Sequence, residues 1–280
     1  MKRIDVSSLC QKLINHILSR KSDMLYFDAN AMIGAHFGPR EGKFFTATDL
    51  LEEMDFFGID EALVYHGLAR EYDFVLGNQQ LMVDIAKLPR LHPCWVVGFH
   101  YGRTMPPPKA LLEDALQNGV KAVRLFFGSH LSHSMVLDLV SHQELFRELE
   151  KHRFPTIVEF EDSTQLLAEH ILQLDKVLEA FSSLPIILSA PKVWTELKLL
   201  YPRMAKHPQL YMEISGLHGN GVMEDLVKNF GAQRLIFGTR FPWFSGGQVK
   251  IALAYSNISP EEKEAIAGGN LSKLIRGVQR

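Results

Sequence analysis

Residues 119–127 read Gly-Val-Lys-Ala-Val-Arg-Leu-Phe-Phe, and within them Ala122–Phe127 is an apolar run broken only by Arg124. Such a run predicts a strand that is buried on both faces, as in a parallel sheet. Seven further short apolar or β-branched runs are spaced along the chain, with stretches of helical periodicity between them. The eight predicted strands are Met24–Ala29, Glu61–Tyr65, Cys94–Phe99, Ala122–Phe127, Pro155–Phe160, Pro185–Leu188, Leu210–Ile214 and Arg234–Phe237.

The alternation of strands and helices predicts the fold class. Eight strands, each followed by a helix, indicate a single α/β domain of the (β/α)8, or TIM, barrel type. An open doubly wound sheet is the structural rival, but it usually has fewer strands and often a Gly-x-Gly-x-x-Gly turn. No such turn follows the first predicted strand. We therefore expect a closed barrel.

The ends of the chain add helices to this barrel. Leu9, Leu13, Ile14, Ile17 and Leu18 repeat at helical spacing, so residues 1–22 are predicted to form an amphipathic N-terminal extension. Residues 23–280 are predicted to form the barrel itself. Its C-terminal helix is expected to begin at Ser259-Pro260-Glu261-Glu262, which has the residues of a capping box.

Composition narrows the class of function. The formal net charge of −2 gives no basic surplus, so neither nucleic acid nor an anionic membrane is an expected partner. No apolar run approaches the ~20 residues of a membrane-spanning helix. Cys10 and Cys94 are too few for a disulfide framework and favour a reducing compartment, so a cytoplasmic location is predicted.

Chemistry in a barrel of this type is carried by side chains at the carboxyl ends of the strands. Buried charges there need partners, so Arg124 is expected to pair with Glu159, and Arg240 with Glu161 or Glu213. Histidines on the predicted helices, including His142, His170 and His207, are expected at the surface. The polar groups at the strand ends are Asp28, Asn30, His66, His100, Arg124, His130, Glu159, Glu161, Ser189, Glu213, His218 and Arg240.

Four stretches, in this order and spacing, resemble the amidohydrolase superfamily, and within it the amidohydrolase-related branch that includes lactonases and decarboxylases. The resemblance extends roughly from Leu25 to Ile275. It implies the barrel fold and, because family members often form dimers or larger assemblies, a homo-oligomer. The stretches are Tyr26–Gly34, Gly119–Leu125, Phe230–Pro242 and Ile266–Leu271.

The resemblance also implies that the usual metal site has been replaced. The family carries histidines on strands one, five and six, a lysine on strand four and an aspartate after strand eight. A guanidinium cannot ligate a divalent cation, and it is always charged. We therefore expect no metal cofactor, with a relocated metal on His66, His100 and Glu159 as an alternative. The residues at the family's positions here are Asn30, Met32, Arg124, Glu159, Ser189 and Arg240.

Three functions remain open on these residues. The first is a metal-independent hydrolase, acting on a lactone or ester, or a lyase, for a small anionic or hydroxylated compound. Catalysis would then fall to His66 or His100, with Glu159 or Glu161 as orienting group or base. The second is a catalytically inactive barrel that binds a ligand or partner protein, and the third is a hydrolase with relocated metal ligands. The expected ligand bears a carboxylate or phosphate, and the expected binding residues are Asn30, Arg124, Ser189, Glu213, His218 and Arg240.

Overall fold

Eight parallel strands follow one another in chain order around a single sheet. The computed structural model describes residues 24–35, 46–128, 135–160, 164–191 and 197–279, so the predicted helix over 1–22 lies outside the described residues. The strands are β1 (Phe27–Ile33), β2 (Glu61–His66), β3 (Leu91–Val96), β4 (Ala122–Phe127), β5 (Thr156–Phe160), β6 (Ile186–Leu188), β7 (Leu210–Glu213) and β8 (Leu235–Ile236).

The first and last strands close the barrel. The amide of Ala29 donates to the carbonyl of Phe237 at 3.0 Å, and the amide of Met32 donates to that of Phe241 at 3.0 Å. Ala31 and Phe241 also form a parallel bridge. No edge of the sheet is therefore left unpaired at this seam, and the predicted (β/α)8 barrel is confirmed.

Helices lie between the strands on the outside of the barrel. Ser259 and Glu262 form the predicted capping box, in which each side chain accepts a hydrogen bond from the other's backbone amide. No helix in the described part of the chain is long and apolar enough to cross a membrane. The helices are α1 (Ala47–Phe57), α2 (Gly67–Glu71), α3 (Phe74–Ile85), α4 (Pro108–Gln117), α5 (Leu139–Lys151), α6 (Thr164–Ala180), α7 (Leu197–Lys206), α8 (Val222–Phe230), α9 (Gly246–Tyr255), α10 (Pro260–Glu264) and α11 (Asn270–Arg276).

Strand alternation divides the barrel interior into an apolar lower layer and a polar upper layer. Ala122, Ile157 and Ile187 belong to the lower cluster, against which Leu274 of α11 packs at the bottom. Inward-facing residues recur every second position along a strand. Arg124, Glu159 and Ser189 therefore stand one layer higher on the same three strands, at the carboxyl end of the barrel.

Two predicted strands are shifted relative to the structure. β1 was predicted over Met24–Ala29 but covers Phe27–Ile33, and its register with β2 shifts between Asp28 and Ala31. β3 was predicted over Cys94–Phe99 but covers Leu91–Val96. In both cases the apolar run extends beyond the hydrogen-bonded ladder, because apolar side chains also continue into the buried loops.

The prediction of surface histidines on the helices is wrong for three of them. His142, His170 and His207 are 1%, 0% and 6% exposed. His170 stacks on Phe160 with ring centres 4.9 Å apart, and His142 lies against Phe99 at 4.4 Å. Helical position alone did not predict this, because an imidazole can pack as an aromatic ring.

Candidate functional site

Arg124 stands at the centre of the polar upper layer. Its side chain is completely buried. Nη1 donates to Oε2 of Glu159 at 2.7 Å, and Nη2 donates to the carbonyl of Ala29 at 3.0 Å. The guanidinium also lies 4.6 Å from the ring centre of Tyr65. Arg124 is thus held on several sides, and its predicted pairing with Glu159 is confirmed.

Arg240 contacts the same carboxylate from the mouth of the barrel. Its Nη2 donates to Oε1 of Glu159 at 2.8 Å, and its side chain is 23% exposed. Arg240 thus pairs with Glu159 and not with Glu213, which is one of the two partners that the sequence predicts. The oxygens of Glu213 already accept hydrogen bonds from other donors. The backbone of Arg240 has φ +56°, in the left-handed region that non-glycine residues seldom adopt.

Glu159 is a bridging anion between two cations. Burial alone raises the pKa of its carboxyl, but Arg240, Arg124 and Arg70 together lower that pKa to about 2. Ser189 Oγ donates a further hydrogen bond at 3.0 Å. At neutral pH Glu159 is therefore a fully ionised structural carboxylate and a poor proton acceptor.

A second buried network surrounds Glu213. Nδ2 of Asn30 donates both to Oε2 of Glu213 and to Oγ of Ser189, each at 2.9 Å. The amide of Ala190 and the hydroxyl of Ser215 donate to Oε2 of Glu213 at 3.0 and 2.9 Å. Burial raises the pKa of Glu213, and these donors oppose the rise. Asn30, Ser189 and Glu213 are thus brought into the arginine cluster, as their strand-end positions indicated.

Asp28 and Thr239 join the first strand to the loop after the last. The amide and the hydroxyl of Thr239 donate to Oδ1 and Oδ2 of Asp28, at 2.9 and 2.5 Å. Burial raises the pKa of Asp28, while the hydrogen bonds from Thr239 lower it. Asp28 was noted at a strand end, but Thr239 was not singled out. Thr239 could have been identified from the sequence because it directly precedes Arg240.

The two candidate catalytic histidines do not reach this cluster within the described residues. Nδ1 of His66 accepts a hydrogen bond from the amide of Leu68 at 3.0 Å and so caps α2, while Nε2 lies 3.4 Å from Asp84. Nε2 of His100 lies 3.3 Å from the carboxylate of Glu144. His66 is turned away from the cluster because side chains alternate along a strand. Tyr65 faces the interior of the barrel, so His66 faces outward.

The remaining candidates lie at the rim or beyond the described residues. His218 is exposed, and its ring meets that of Phe244 edge-on at 6.0 Å. Phe244 in turn lies 5.6 Å from the guanidinium of Arg240. His218 therefore borders the mouth, whereas His130 and Glu161 lie outside the described residues.

Arg70 and its aromatic neighbours were missed by the sequence reasoning. The guanidinium of Arg70 lies 5.4 Å from the ring centre of Phe126 and 5.3 Å from that of Trp243, and it also pairs with Glu71. Phe126 was identifiable, because it follows Arg124 by two positions and shares its inward face. Arg70 follows β2 by only a few residues, but nothing in the sequence indicated that it turns toward the mouth.

The donor set of this cluster does not fit a divalent cation. Among the described residues there is no group of three or more His, Cys, Asp or Glu side chains that could hold a metal ion. Both oxygens of Glu159 accept hydrogen bonds from guanidinium groups. The alternative ligand set is also dispersed, since His66 and His100 contact other carboxylates. Guanidinium groups instead favour an anion.

Comparisons with known proteins agree with this fold. The family described as amidohydrolase matches residues 45–276. A 2,6-dihydroxybenzoate decarboxylase from Rhizobium is 15% identical over 90% of this chain and 99% of its own, with a TM-score of 0.76. A dihydroxybenzoic acid decarboxylase from Polaromonas, with bound manganese and 2-nitroresorcinol, is 14% identical over 90% and 97%, with a TM-score of 0.71.

A third solved structure represents another activity. It is a probable 2-pyrone-4,6-dicarboxylic acid hydrolase from Acinetobacter baumannii with bound citric acid, 14% identical over 90% of this chain and 100% of its own, with a TM-score of 0.64. Identities at this level establish a shared fold. No curated protein sequence matches the chain.

Proposed function

Since the chain belongs to the amidohydrolase family, we propose that its barrel mouth binds a small organic acid without a divalent cation. The observation that carries this proposal is the carboxylate of Glu159 shared between Arg124 and Arg240. Two guanidinium groups there provide positive charge, in a fold whose Polaromonas neighbour binds manganese. A carboxylate on the ligand would pair with this positive charge through hydrogen bonds from a guanidinium group.

Arg240 is the residue that meets the ligand. Its side chain is partly exposed, whereas that of Arg124 is sealed inside the barrel. Its Nε has no hydrogen-bond partner within the described part of the chain, although the atom is buried. A buried donor without an acceptor is costly, and a ligand oxygen would satisfy it. A carboxylate that enters through the mouth would meet this partly exposed guanidinium while Nη2 stays with Glu159.

The charge around Glu159 favours an anionic ligand. Arg70, Arg124 and Arg240 all act on this one carboxylate. Asp28 and Glu213 also lie in the layer; burial raises the pKa of both, and hydrogen bonds from Thr239, Asn30 and Ser215 oppose that rise. The carboxylate of Glu159 is thus shared by more than one guanidinium, so a ligand carboxylate can pair with Arg240.

Turnover as a hydrolase or lyase is the second candidate function. Family membership favours it, and two of the solved neighbours are decarboxylases and one a probable hydrolase. Such chemistry needs a group that moves a proton at the bound ligand. Glu159 is too acidic for that role, and His66 and His100 are held by other residues. Glu161 is the candidate that would then carry the proton.

Calorimetric titration with benzoate, 2,6-dihydroxybenzoate and 2-pyrone-4,6-dicarboxylate, in the presence of a chelator, tests the proposal. The expected result is saturable binding of at least one acid, weakened about tenfold or more in Arg240→Gly. Glycine adopts φ +56° without strain, so this variant removes the guanidinium and keeps the backbone. Lys109→Ala, which removes an exposed cation on α4, is the control and should bind as the parent does.

Two outcomes would decide against the proposal. Binding that disappears with the chelator and returns with manganese would show that a metal is required. Equal affinity in Arg240→Gly and the parent would place the ligand elsewhere. Chromatography of the same mixtures after prolonged incubation separates the two functions, since an unchanged acid indicates binding alone and a product indicates an enzyme.

A further inference from the structure

A cleft opens at the end of the barrel opposite to the arginine cluster. Its volume is about 540 Å³, which lies in the range of small-molecule sites. Tyr211 stands two residues before Glu213 on β7, so it faces the interior one layer below the mouth. We call this the basal cleft, and its principal lining residues are Arg153, Gln209, Tyr211, Asn270, Lys273 and Leu274.

The basal cleft is cationic. Arg153 and Lys273 both line it, and neither has an ion-pair partner within the described part of the chain. Glu150, the acid nearest in sequence, has one oxygen engaged by the backbone amide of Ser183 at 2.8 Å. Tyr211 lines the same cleft as Arg153; burial raises the pKa of its phenol, and Arg234 and Arg153 oppose that rise.

Two neutral polar side chains of the cleft, those of Gln209 and Asn270, are fixed by hydrogen bonds to the backbone. Nε2 of Gln209 donates to the carbonyl of Leu178 at 2.8 Å. Nδ2 of Asn270 donates to the carbonyls of Ala232 and Leu235, at 2.9 and 2.8 Å. These bonds fix the side chains of Gln209 and Asn270 in the walls of the cleft. Arg153 and Lys273 are the charged side chains available to a ligand.

Arg153 occupies a backbone position where this chain elsewhere uses glycine. After α4, Gly119 has φ +75° and is followed by a bond from the amide of Val120 to the carbonyl of Ala115 at 2.9 Å. After α5, Arg153 has φ +53° and is followed by the equivalent bond from Phe154 to Leu149, also 2.9 Å. The left-handed conformation is unfavourable for arginine, so a side chain retained there points to a use for it.

We propose that the basal cleft is a second ligand site, for an organic phosphate. The phosphate would lie between Arg153 and Lys273, because two cations match a dianion. The organic part would lie against Tyr211 and Leu274, since the cleft is far larger than a phosphate group alone. The ligand would then join the end of α5 to α11, which closes the bottom of the barrel. This proposal does not depend on the function of the mouth.

Adenosine monophosphate, with adenosine as the neutral analogue, is the probe for this site. Calorimetry on the full chain is expected to show saturable binding of the nucleotide and binding of adenosine at least about tenfold weaker. Arg153→Gly/Lys273→Ala is expected to weaken the nucleotide by about tenfold or more, since it removes both cations. Arg153→Gly alone should also raise the Tm by about 2 °C without ligand, because glycine relieves the backbone.

Matched variants make the result specific. Lys109→Ala/Lys228→Ala removes the same charge from other helices and should bind the nucleotide as the parent does. Arg240→Gly should also bind it normally, which separates this site from the mouth. Absence of saturable nucleotide binding, or binding by Arg153→Gly/Lys273→Ala within about twofold of the parent, would overturn the proposal.

Discussion

Arg240, whose backbone lies in the left-handed region at φ +56°, donates from Nη2 to Oε1 of Glu159 at 2.8 Å. Arg124 donates to the other oxygen of the same carboxylate from inside the barrel. Arg124 is fully buried, whereas Arg240 is partly exposed, so the two arginines have different roles. Arg124 fixes Glu159 in the core, and Arg240 presents positive charge to the mouth. The following predictions separate these roles.

Replacing Glu159 by glutamine should strongly destabilise the fold. The substitution keeps the shape of the side chain but leaves buried guanidinium groups without their anion, which costs about 3 kcal/mol or more in the free energy of unfolding. Urea unfolding at neutral pH measures this. Glu179→Gln, which breaks the exposed pair with Lys206, is the control and should leave the stability almost unchanged. A loss no larger than that control would contradict the buried bridge.

The contribution of Glu159 should disappear in acid. Its folded-state pKa of about 2 lies below its ordinary value of 4.5, so the stabilisation is present above about pH 4.5 and is lost as the pH falls toward 2. The parent should therefore lose about 3 kcal/mol relative to Glu159→Gln across this window. Asp28 and Glu213, whose pKa values are raised, shift stability in the opposite direction but are common to both proteins. Two parallel pH–stability curves would refute the assignment.

Arg124→Met should destabilise the protein more than Arg240→Met. Arg124 is fully buried, so its loss removes the cation beside Oε2 of Glu159 and the hydrogen bond to the carbonyl of Ala29. We expect about 3 kcal/mol for Arg124→Met and about half of that for Arg240→Met. Guanidinium chloride unfolding of the two variants gives the comparison. The reverse order would mean that Arg240, rather than Arg124, fixes Glu159.

His66→Ala should affect stability and leave ligand binding intact. The imidazole caps α2 through the amide of Leu68, and loss of such a cap costs about 1 kcal/mol. Thermal unfolding and titration with the best acid of the panel measure the two effects. Asn78→Ala, which removes two buried hydrogen bonds to the backbone of Val96, is a structural comparison. If His66→Ala, but not Asn78→Ala, lost most of its affinity or turnover, His66 would have to be counted among the residues of the site.

The purified protein should contain little divalent metal. Because the carboxylates of the described cluster are engaged by arginine, amide and hydroxyl donors, we expect less than about a tenth of an equivalent of zinc, manganese or iron. Mass spectrometry of untagged protein purified without chelators measures this. Near-stoichiometric metal that resists dialysis would contradict the expectation and would require ligands beyond the cluster.

The sequence predicted the fold well because the relevant signal is repeated. Each apolar run marks one strand, and the alternation of inward-facing residues then brings Arg124, Glu159 and Ser189 into one layer. The same reasoning could have excluded His66, since its neighbour Tyr65 is the inward-facing residue. The sequence alone could not predict which carboxylate Arg240 contacts. Arg240 had several acids within plausible reach, and only the packing shows that Asn30, Ala190 and Ser215 already occupy Glu213.

The bond between Asp28 and Thr239 joins residues that are 211 positions apart in the chain. This bond and the adjoining backbone bonds join β1 to the end of β8 and the loop after it, so one side of β1 lacks these partners until the chain has been made as far as Thr239. Any sheet that the earlier strands form before then keeps an exposed edge. The barrel cannot close, and Arg240 cannot reach Glu159, until this part of the chain is present. A chain truncated before Thr239 should accordingly be prone to aggregation rather than simply less active.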